Sequence, residues 1–442
     1  MIDGLGPRRR DPLRRYLSAW VGFSAGGHFS QALSVAIVLF AFSTQAIRSV
    51  MGWPGAVAVL ATLLVLAALS LFGGRHHVEW HGILPVSLIA LFGFMAISVL
   101  WSEYTWVTVG GVAYAAGFGA LGLYLALGRD LVQVVRAVGD ALRIVLVASM
   151  SLEVFAGLLI DQPIRFLGIR GDLALGGPIQ GLAGTRNYLG FLAALALVTF
   201  VVEFLTRSVP RSHAAASAVL AAVTLVFARS PVAALAVVVL VVAGLALRAL
   251  RKAPEHRRPL LQSVLAVVVV VGGAVSWALR DSLLASVDGA SDLSARSLLW
   301  ARVRSLASVH DITGWGFVGQ WPAEIFPFST VLAPDGRPYA TALNAFFDIW
   351  LQLGLVGVLL LVVSGALALV RSWATASGHP IVAYVWPALV LVLIGVTALA
   401  ESFVLFEGTL MLFVAIATIA ARKRSWRSRL PQLPGRADPT DR

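Results

Sequence analysis

Residues 214–247 read AAASAVLAAVTLVFARSPVAALAVVVLVVAGLAL. Arg229 is the one charged residue in the stretch, and it sits where two apolar runs join. Each run approaches the ~20 residues that cross a bilayer core. Pro231 has no backbone N–H to donate, so two helices broken at Arg229-Ser230-Pro231 are favoured over one long helix. A charge at such a junction costs on the order of a few kcal/mol unless it is paired or hydrated, which makes Arg229 a functional candidate.

The same texture extends in both directions. Apolar runs occupy residues 29–47, 54–73, 82–100, 107–127, 138–160, 187–206, 214–229, 231–247, 260–280, 345–370, 381–400 and 403–421. Of 442 residues, 59% are hydrophobic and 13% charged, whereas a soluble domain carries about 25% charged residues. The fold class is therefore an all-α polytopic membrane protein of about twelve transmembrane helices. The absence of cysteine from the sequence excludes disulfides and thiol chemistry. Arg8-Arg9-Arg10 and Arg14-Arg15 precede a segment of spanning length, so no cleavable leader is expected.

The net charge of +12 first suggests nucleic acid. The charges instead fall in short breaks between apolar runs, where topology signals belong, and no nucleic-acid partner is expected. With the N-terminus in the cytoplasm, 23 of the 34 Lys+Arg lie inside and ten outside, with Arg143 within a span. The expected layout is a basic cytoplasmic N-terminus (1–28), nine spans (29–280), a large external loop (281–344), three spans (345–421) and a basic cytoplasmic tail (422–442). The expected location is the bacterial cytoplasmic (inner) membrane, multi-pass, with both termini cytoplasmic.

The ten displaced arginines are 48, 165, 170, 186, 229, 280, 296, 302, 304 and 337. Guanidinium pairs with phosphate in a bidentate fork, so arginines on the outer side suggest an anionic ligand. Snorkelling at the interface or pairing with nearby acids is the plainer explanation for any one of them. Arg186 begins a span and Arg296 begins a helical pattern, so with Arg229 three separate elements could converge on one diphosphate.

Two outer segments are long enough to fold. Residues 161–186 are Gly-rich and end at Gly184-Thr185-Arg186-Asn187. In the second, 281–344, the stretch 294–309 sets Leu298, Leu299, Val303 and Leu306 opposite Arg296 and Arg304, which predicts an amphipathic helix on the membrane surface. Gly314, Gly316 and Gly319 have a GxGxxG spacing without the parallel-strand context of a dinucleotide site, so close backbone packing explains them better. His76, His77 and His81 share a short loop with only Glu79 as a further ligand, and the outer acids show no compact spacing. Neither metal nor cofactor is expected.

Several of these segments, in order, resemble successive motifs of the O-antigen ligase and polymerase superfamily. They are Gly184-Thr185-Arg186-Asn187-Tyr188-Leu189-Gly190, Ala228-Arg229-Ser230, Ser294-Ala295-Arg296 with Trp300, and Gly314-Trp315-Gly316, followed by Ala342-Leu343-Asn344 and residues 350–357. The resemblance covers roughly residues 180–360 and implies a GT-C-like membrane architecture. It implies transfer of a glycan from polyprenyl (undecaprenyl) diphosphate to a glycan or glycolipid acceptor on the outer face, without a metal. By resemblance, Arg229 and Arg296 contact the diphosphate with help from Arg186, while Asn344, Trp300 and Arg304 belong to the acceptor loop. A polymerase of lipid-linked repeat units would use the same donor chemistry.

One position departs from that pattern. The family carries histidine before the asparagine, as the base that activates the acceptor hydroxyl, and this chain carries Leu343. Leucine cannot accept a proton. Either another base substitutes (His310, Asp348, Glu401 or Asp311), or the acceptor needs less activation, or the chain is an inactive scaffold. A transporter of lipid-linked glycan is the remaining class, although no pseudo-symmetric halves are visible.

Overall fold

The computed structural model describes residues 27–73, 84–278 and 290–423. The basic N-terminal stretch, the His76-His77 loop, Arg280, Asp281, Asp288 and the tail from residue 424 lie outside the described residues. The helices are α1 (Gly27–Phe42), α2 (Thr44–Gly73), α3 (Val86–Ile97), α4 (Thr105–Gly128) and α5 (Leu131–Val154). They continue with α6 (Arg186–Thr206), α7 (Arg211–Ala228), α8 (Pro231–Lys252) and α9 (Arg258–Ala278). The last four are α10 (Ala290–Ala307), α11 (Ala345–Gly378), α12 (Val385–Ala398) and α13 (Glu407–Lys423). Among the described residues the only β-pairing is two isolated bridges, Ile164 with Ile169 and Leu332 with Pro338.

Seven helices, α2, α4, α5, α6, α7, α8 and α11, are long and apolar enough to cross a membrane, and α1, α3 and α12 are shorter apolar helices. The chain is an all-α polytopic membrane protein. Its main core joins α1–α8 and α11–α13, around Phe118, Tyr124, Phe191, Phe200 and Trp386. The break expected at residues 229–231 is present. Arg229 takes a left-handed φ of 45°, the Ser230 hydroxyl accepts from the Ala233 N–H (3.2 Å), and Pro231 occupies the first turn of α8. Proline is tolerated there because the first turn's N–H groups have no partner within the helix.

Two helices are discontinuous. Gly52 (φ 70°, ψ −178°) interrupts α2 and Gly354 (φ 64°, ψ −168°) interrupts α11. The first expected span, 29–47, is therefore corrected. α1 ends at Phe42, and residues 44–51 already form the first segment of α2, ahead of Gly52 and Pro54.

At the second break the loop before α11 is stitched into the helix. The carbonyls of Leu351 and Gln352 accept from the N–H groups of Trp315 (3.0 Å) and Gly316 (2.9 Å), and the Leu355 N–H donates to the Asp311 carbonyl (2.8 Å). A Cβ at Gly314 would lie 2.4 Å from the Gln352 carbonyl, and one at Gly354 would lie 2.1 Å from that of Ile312. Close packing thus explains Gly314 and Gly316 in this stitch, whereas a Cβ at Gly319 would approach nothing nearer than 3.9 Å. The Gln352 side chain completes the stitch, since its oxygen accepts from Val318 (2.9 Å) and Gly319 (3.0 Å) and its nitrogen donates to the Gly319 carbonyl (3.0 Å).

The amphipathic helix exists as α10, but with a different inner face. Leu299, Val303 and Leu306 are buried against Trp321, Phe328 and Leu351 in a second core, whereas Leu298 is 69% exposed. At 100° per residue, positions 296, 299, 300, 303, 306 and 307 share one face and 298 does not. Arg296 therefore lies on the packed face rather than opposite it, and that face packs on α11 and its loop.

Candidate functional site

A cavity of about 400 Å³ opens where the beginnings of α2, α6 and α13, the 399–406 loop, α10 and the 320–343 loop meet. That volume lies within the range of small-ligand sites. These elements all belong to the end of the bundle that carries the 155–185 and 290–344 segments. Two arginine–glutamate pairs line it.

The first pair is Arg296 with Glu401, Nη2 to Oε1 at 3.0 Å. The same guanidinium donates through Nη1 to the carbonyls of Leu343 (3.3 Å) and Ala400. Glu401 Oε1 also accepts from Asn187 Nδ2 (2.6 Å), and Asn187 Oδ1 accepts from the Ser230 hydroxyl (2.8 Å). One unbroken chain of polar contacts, Arg296–Glu401–Asn187–Ser230, thus links α10, the α12–α13 loop, α6 and the α7–α8 junction. Burial pushes the Glu401 carboxyl above its ordinary range, and the Arg296 charge and hydrogen bond oppose that rise.

The second pair is Arg48 with Glu407 at 2.8 Å. Arg48 also donates to the side-chain oxygens of Gln320 (3.2 Å) and Gln45 (2.9 Å), and it lies over the Trp53 ring at 4.6 Å. Glu407 accepts a further bond from the Tyr114 hydroxyl (3.1 Å). Only Arg48 of this group was singled out in the sequence, as one displaced arginine among ten. The available signal was Glu407, a lone acid in the apolar run 403–421, since a carboxylate at that depth requires a cation.

The other sequence candidates distribute unevenly. Arg186 is half-buried at the start of α6, where its positive charge is felt at Glu401, and its neighbours Thr185 and Asn187 line the cavity. Arg229 is exposed and lines a different cleft of about 480 Å³ with Leu225, Val226, Ala234 and Val237, its guanidinium against the backbone of Gly176. Ser230, the next residue, belongs to the polar chain just described. Asn344 caps α11, accepting from Phe346 (2.9 Å) and Phe347 (3.2 Å) and donating to the Leu399 carbonyl (2.8 Å). Trp300 donates to the Ala342 carbonyl (2.9 Å) and stacks on Phe347, so it supports the 340–343 segment from beneath.

Four further candidates stand away from the cavity lining. His310 is exposed, with its ring edge-on to Trp315 at 4.5 Å. Arg304 is exposed on the outer side of α10. Asp348 is fully buried and consumed by structure, accepting from Trp321 (2.9 Å), Gln352 (2.8 Å) and the Ala342 N–H (3.1 Å). Asp311 is also exposed and accepts from Trp350 at 2.9 Å. Of the acids and the histidine proposed as bases, Glu401 alone lines the cavity.

Leu343, at the position where a histidine was expected, does face this space, and its φ is +49°. Glu407, across the same cavity, has a φ of +46°. Left-handed backbone at non-glycine residues costs roughly 1–2 kcal/mol each and gathers at functional sites. Two of the five such residues in the described chain line this one cavity.

Residues 214–362 match a family model described as O-antigen ligase. No curated protein matches the chain. The matched stretch, about a third of the chain, contains Arg229, Ser230, Arg296, Leu343 and Asn344, and it supports the resemblance to the O-antigen ligase and polymerase superfamily.

Proposed function

We propose that the cavity transfers a glycan from a polyprenyl diphosphate donor to a hydroxyl of a glycan or glycolipid acceptor, on the outer face of a bacterial cytoplasmic membrane. The observation that carries this reading is the Arg296–Glu401 pair, a phosphate-binding fork and a carboxylate base joined at one wall of the cavity and connected through Asn187 to Ser230. Arg229 heads an apolar cleft between α7 and α8, a suitable entry for a lipid tail with its diphosphate at the polar end.

The step balances as follows. The acceptor oxygen bonds to the anomeric carbon as its proton passes to the Glu401 carboxylate. The bond from that carbon to the diphosphate oxygen breaks, and polyprenyl diphosphate leaves with its charge neutralised by Arg296. A diphosphate also competes with Glu401 for the guanidinium. Drawing Arg296 away leaves the buried carboxylate with less opposing charge and therefore more basic, so donor binding itself activates the base. Glu401 takes over the task that Leu343 cannot perform.

Glu401→Gln keeps the hydrogen-bonding shape and removes the base, so kcat should fall about 100-fold or more. In the wild type, kcat should fall as pH drops through the raised Glu401 pKa, and this limb should be missing from the Gln variant's residual rate. Proteoliposomes with a labelled polyprenyl-diphosphate glycan and an envelope-glycan acceptor provide the measurement. His310→Ala should stay within about twofold of wild type; a loss from His310→Ala comparable to that from Glu401→Gln would move the base to the exposed turn. In a deletion strain, accumulation of full-length lipid-linked polymer indicates a ligase, and accumulation of single lipid-linked repeats a polymerase.

A further inference from the structure

The cavity has a second charged wall that the transfer step leaves unused. Arg48 on α2 holds Glu407 on α13, and it also takes the side-chain oxygens of Gln45 and Gln320. Because a guanidinium only donates, both amides must present oxygen to it. Their nitrogens, with two N–H donors each, are thereby left for another partner, and both glutamines line the cavity. Glu407 offers carboxylate acceptors beside them. Phe403 and Phe406 line the same space.

The backbone reinforces the assignment. Glu407 is held left-handed, at a φ of +46°. The next residue, Gly408, is pressed so closely on α1 that a Cβ would lie 2.6 Å from the Ala41 carbonyl. A glycine at 407 would relieve the strain, so the carboxylate is retained against a conformational cost. Surface ion pairing is a poor reason for that cost, since the Glu407 side chain is only 11% exposed and that of Arg48 only 10%.

Resting on the glycan-transfer reading above, we infer that the Arg48–Glu407 wall is the acceptor-sugar subsite. The Glu407 carboxylate and the two glutamine amides hydrogen-bond ring hydroxyls, and Phe403 and Phe406 pack against the sugar's C–H face. The chemistry on this wall suits a neutral polyhydroxylated ligand. It alternates acceptors with donors at short range, and its one cation is already shared among three oxygens, which disfavours a second phosphate there. The two walls divide the labour: Arg296–Glu401 serves the bond that breaks, and Arg48–Glu407 positions the hydroxyl that attacks. Glu407 is thus a positioning residue for the acceptor and Glu401 the base.

The test separates acceptor from donor. With the proteoliposome assay, Glu407→Gln should raise the acceptor KM at least tenfold, while the donor KM and kcat stay within about threefold. Arg48→Lys, which keeps the charge but loses the fork, should show the same pattern more weakly. In parallel, binding of fluorescently labelled oligosaccharides, released by mild acid from the host's own envelope, is measured on the purified full-length protein without donor. Binding should survive His310→Ala, which lies away from the cavity, and weaken at least tenfold in Glu407→Gln. Glu407→Gln acting on the donor KM, or leaving oligosaccharide binding unchanged, overturns the subsite, as does an absence of binding to the wild type. A wild type that binds the oligosaccharide but forms no glycosidic bond overturns the transfer reading instead.

Discussion

Arg296→Ala should abolish glycan transfer, lowering kcat/KM by at least about 1,000-fold. Two losses combine in this one change. Neutralisation of the departing diphosphate disappears, and removal of a single preorganised donor at a developing charge costs about 100- to 1,000-fold. Glu401 is also left buried without its cation, and an uncompensated buried charge destabilises its surroundings by roughly 3–5 kcal/mol. The carbonyls of Leu343 and Ala400 lose their shared donor as well, so the 340–343 segment and the α12–α13 loop come apart. A loss of activity through unfolding is distinguished by pairing the change with Glu401→Gln. The double variant should recover the thermal stability lost in Arg296→Ala, measured by melting in detergent, and remain inactive. Arg296→Lys should fall between wild type and alanine, because a lysine supplies charge without the planar fork. Transfer within tenfold of wild type in a folded Arg296→Ala protein would remove the guanidinium from the reaction.

Gly354→Ala should be the most damaging single-methyl change among the described residues. At φ 64° and ψ −168° the residue occupies a region open essentially to glycine, and the added carbon would lie 2.1 Å from the Ile312 carbonyl. Backbone strain alone costs up to ~3 kcal/mol there, and relief of the clash requires the 311–316 segment of the loop to leave the helix break. Its hydrogen bonds from Trp315 and Gly316 to the open carbonyls of α11 would be lost together. We expect a marked fall in melting temperature and new proteolytic cleavage between residues 311 and 320. Activity should fall in parallel, although residue 354 does not line the cavity. Gly365→Ala, where a Cβ would meet nothing within 4 Å, is the matched control and should be silent.

Much of the helical layout was legible because hydropathy acts locally. The join at Arg229-Ser230-Pro231 shows this well, since a charge, a capping hydroxyl and a proline in succession leave one reasonable backbone. The helix breaks at Gly52 and Gly354 were not legible in the same way. A glycine in an apolar run is ordinary in a membrane helix, and at Gly354 only the loop docked against it reveals the break. The inner face of α10 was misread for a related reason. Treating Arg296 as a surface charge placed Leu298 inward, whereas its partner Glu401 lies 105 residues away along the chain.

The site divides along the same line. Arg296, Asn187, Ser230 and Leu343 could be found from ordered motifs, because each lies within a short recognisable segment. Arg48 and Glu407 could not, since nothing local distinguishes them from snorkelling charges, and their pairing is created by α2 meeting α13. His310 attracted attention through its intrinsic pKa, a property of the residue type that says nothing about where the fold puts it.

The central claim is that this cavity breaks the bond between a glycan and a lipid diphosphate. Its most direct test follows a doubly labelled donor, with one label in the sugar and one in the polyprenyl diphosphate, in proteoliposomes of the purified protein. The account predicts that sugar label enters a new glycosidic bond in one-to-one proportion with free polyprenyl diphosphate. Donor label crossing the bilayer with both labels still joined, and no new bond formed, would contradict it.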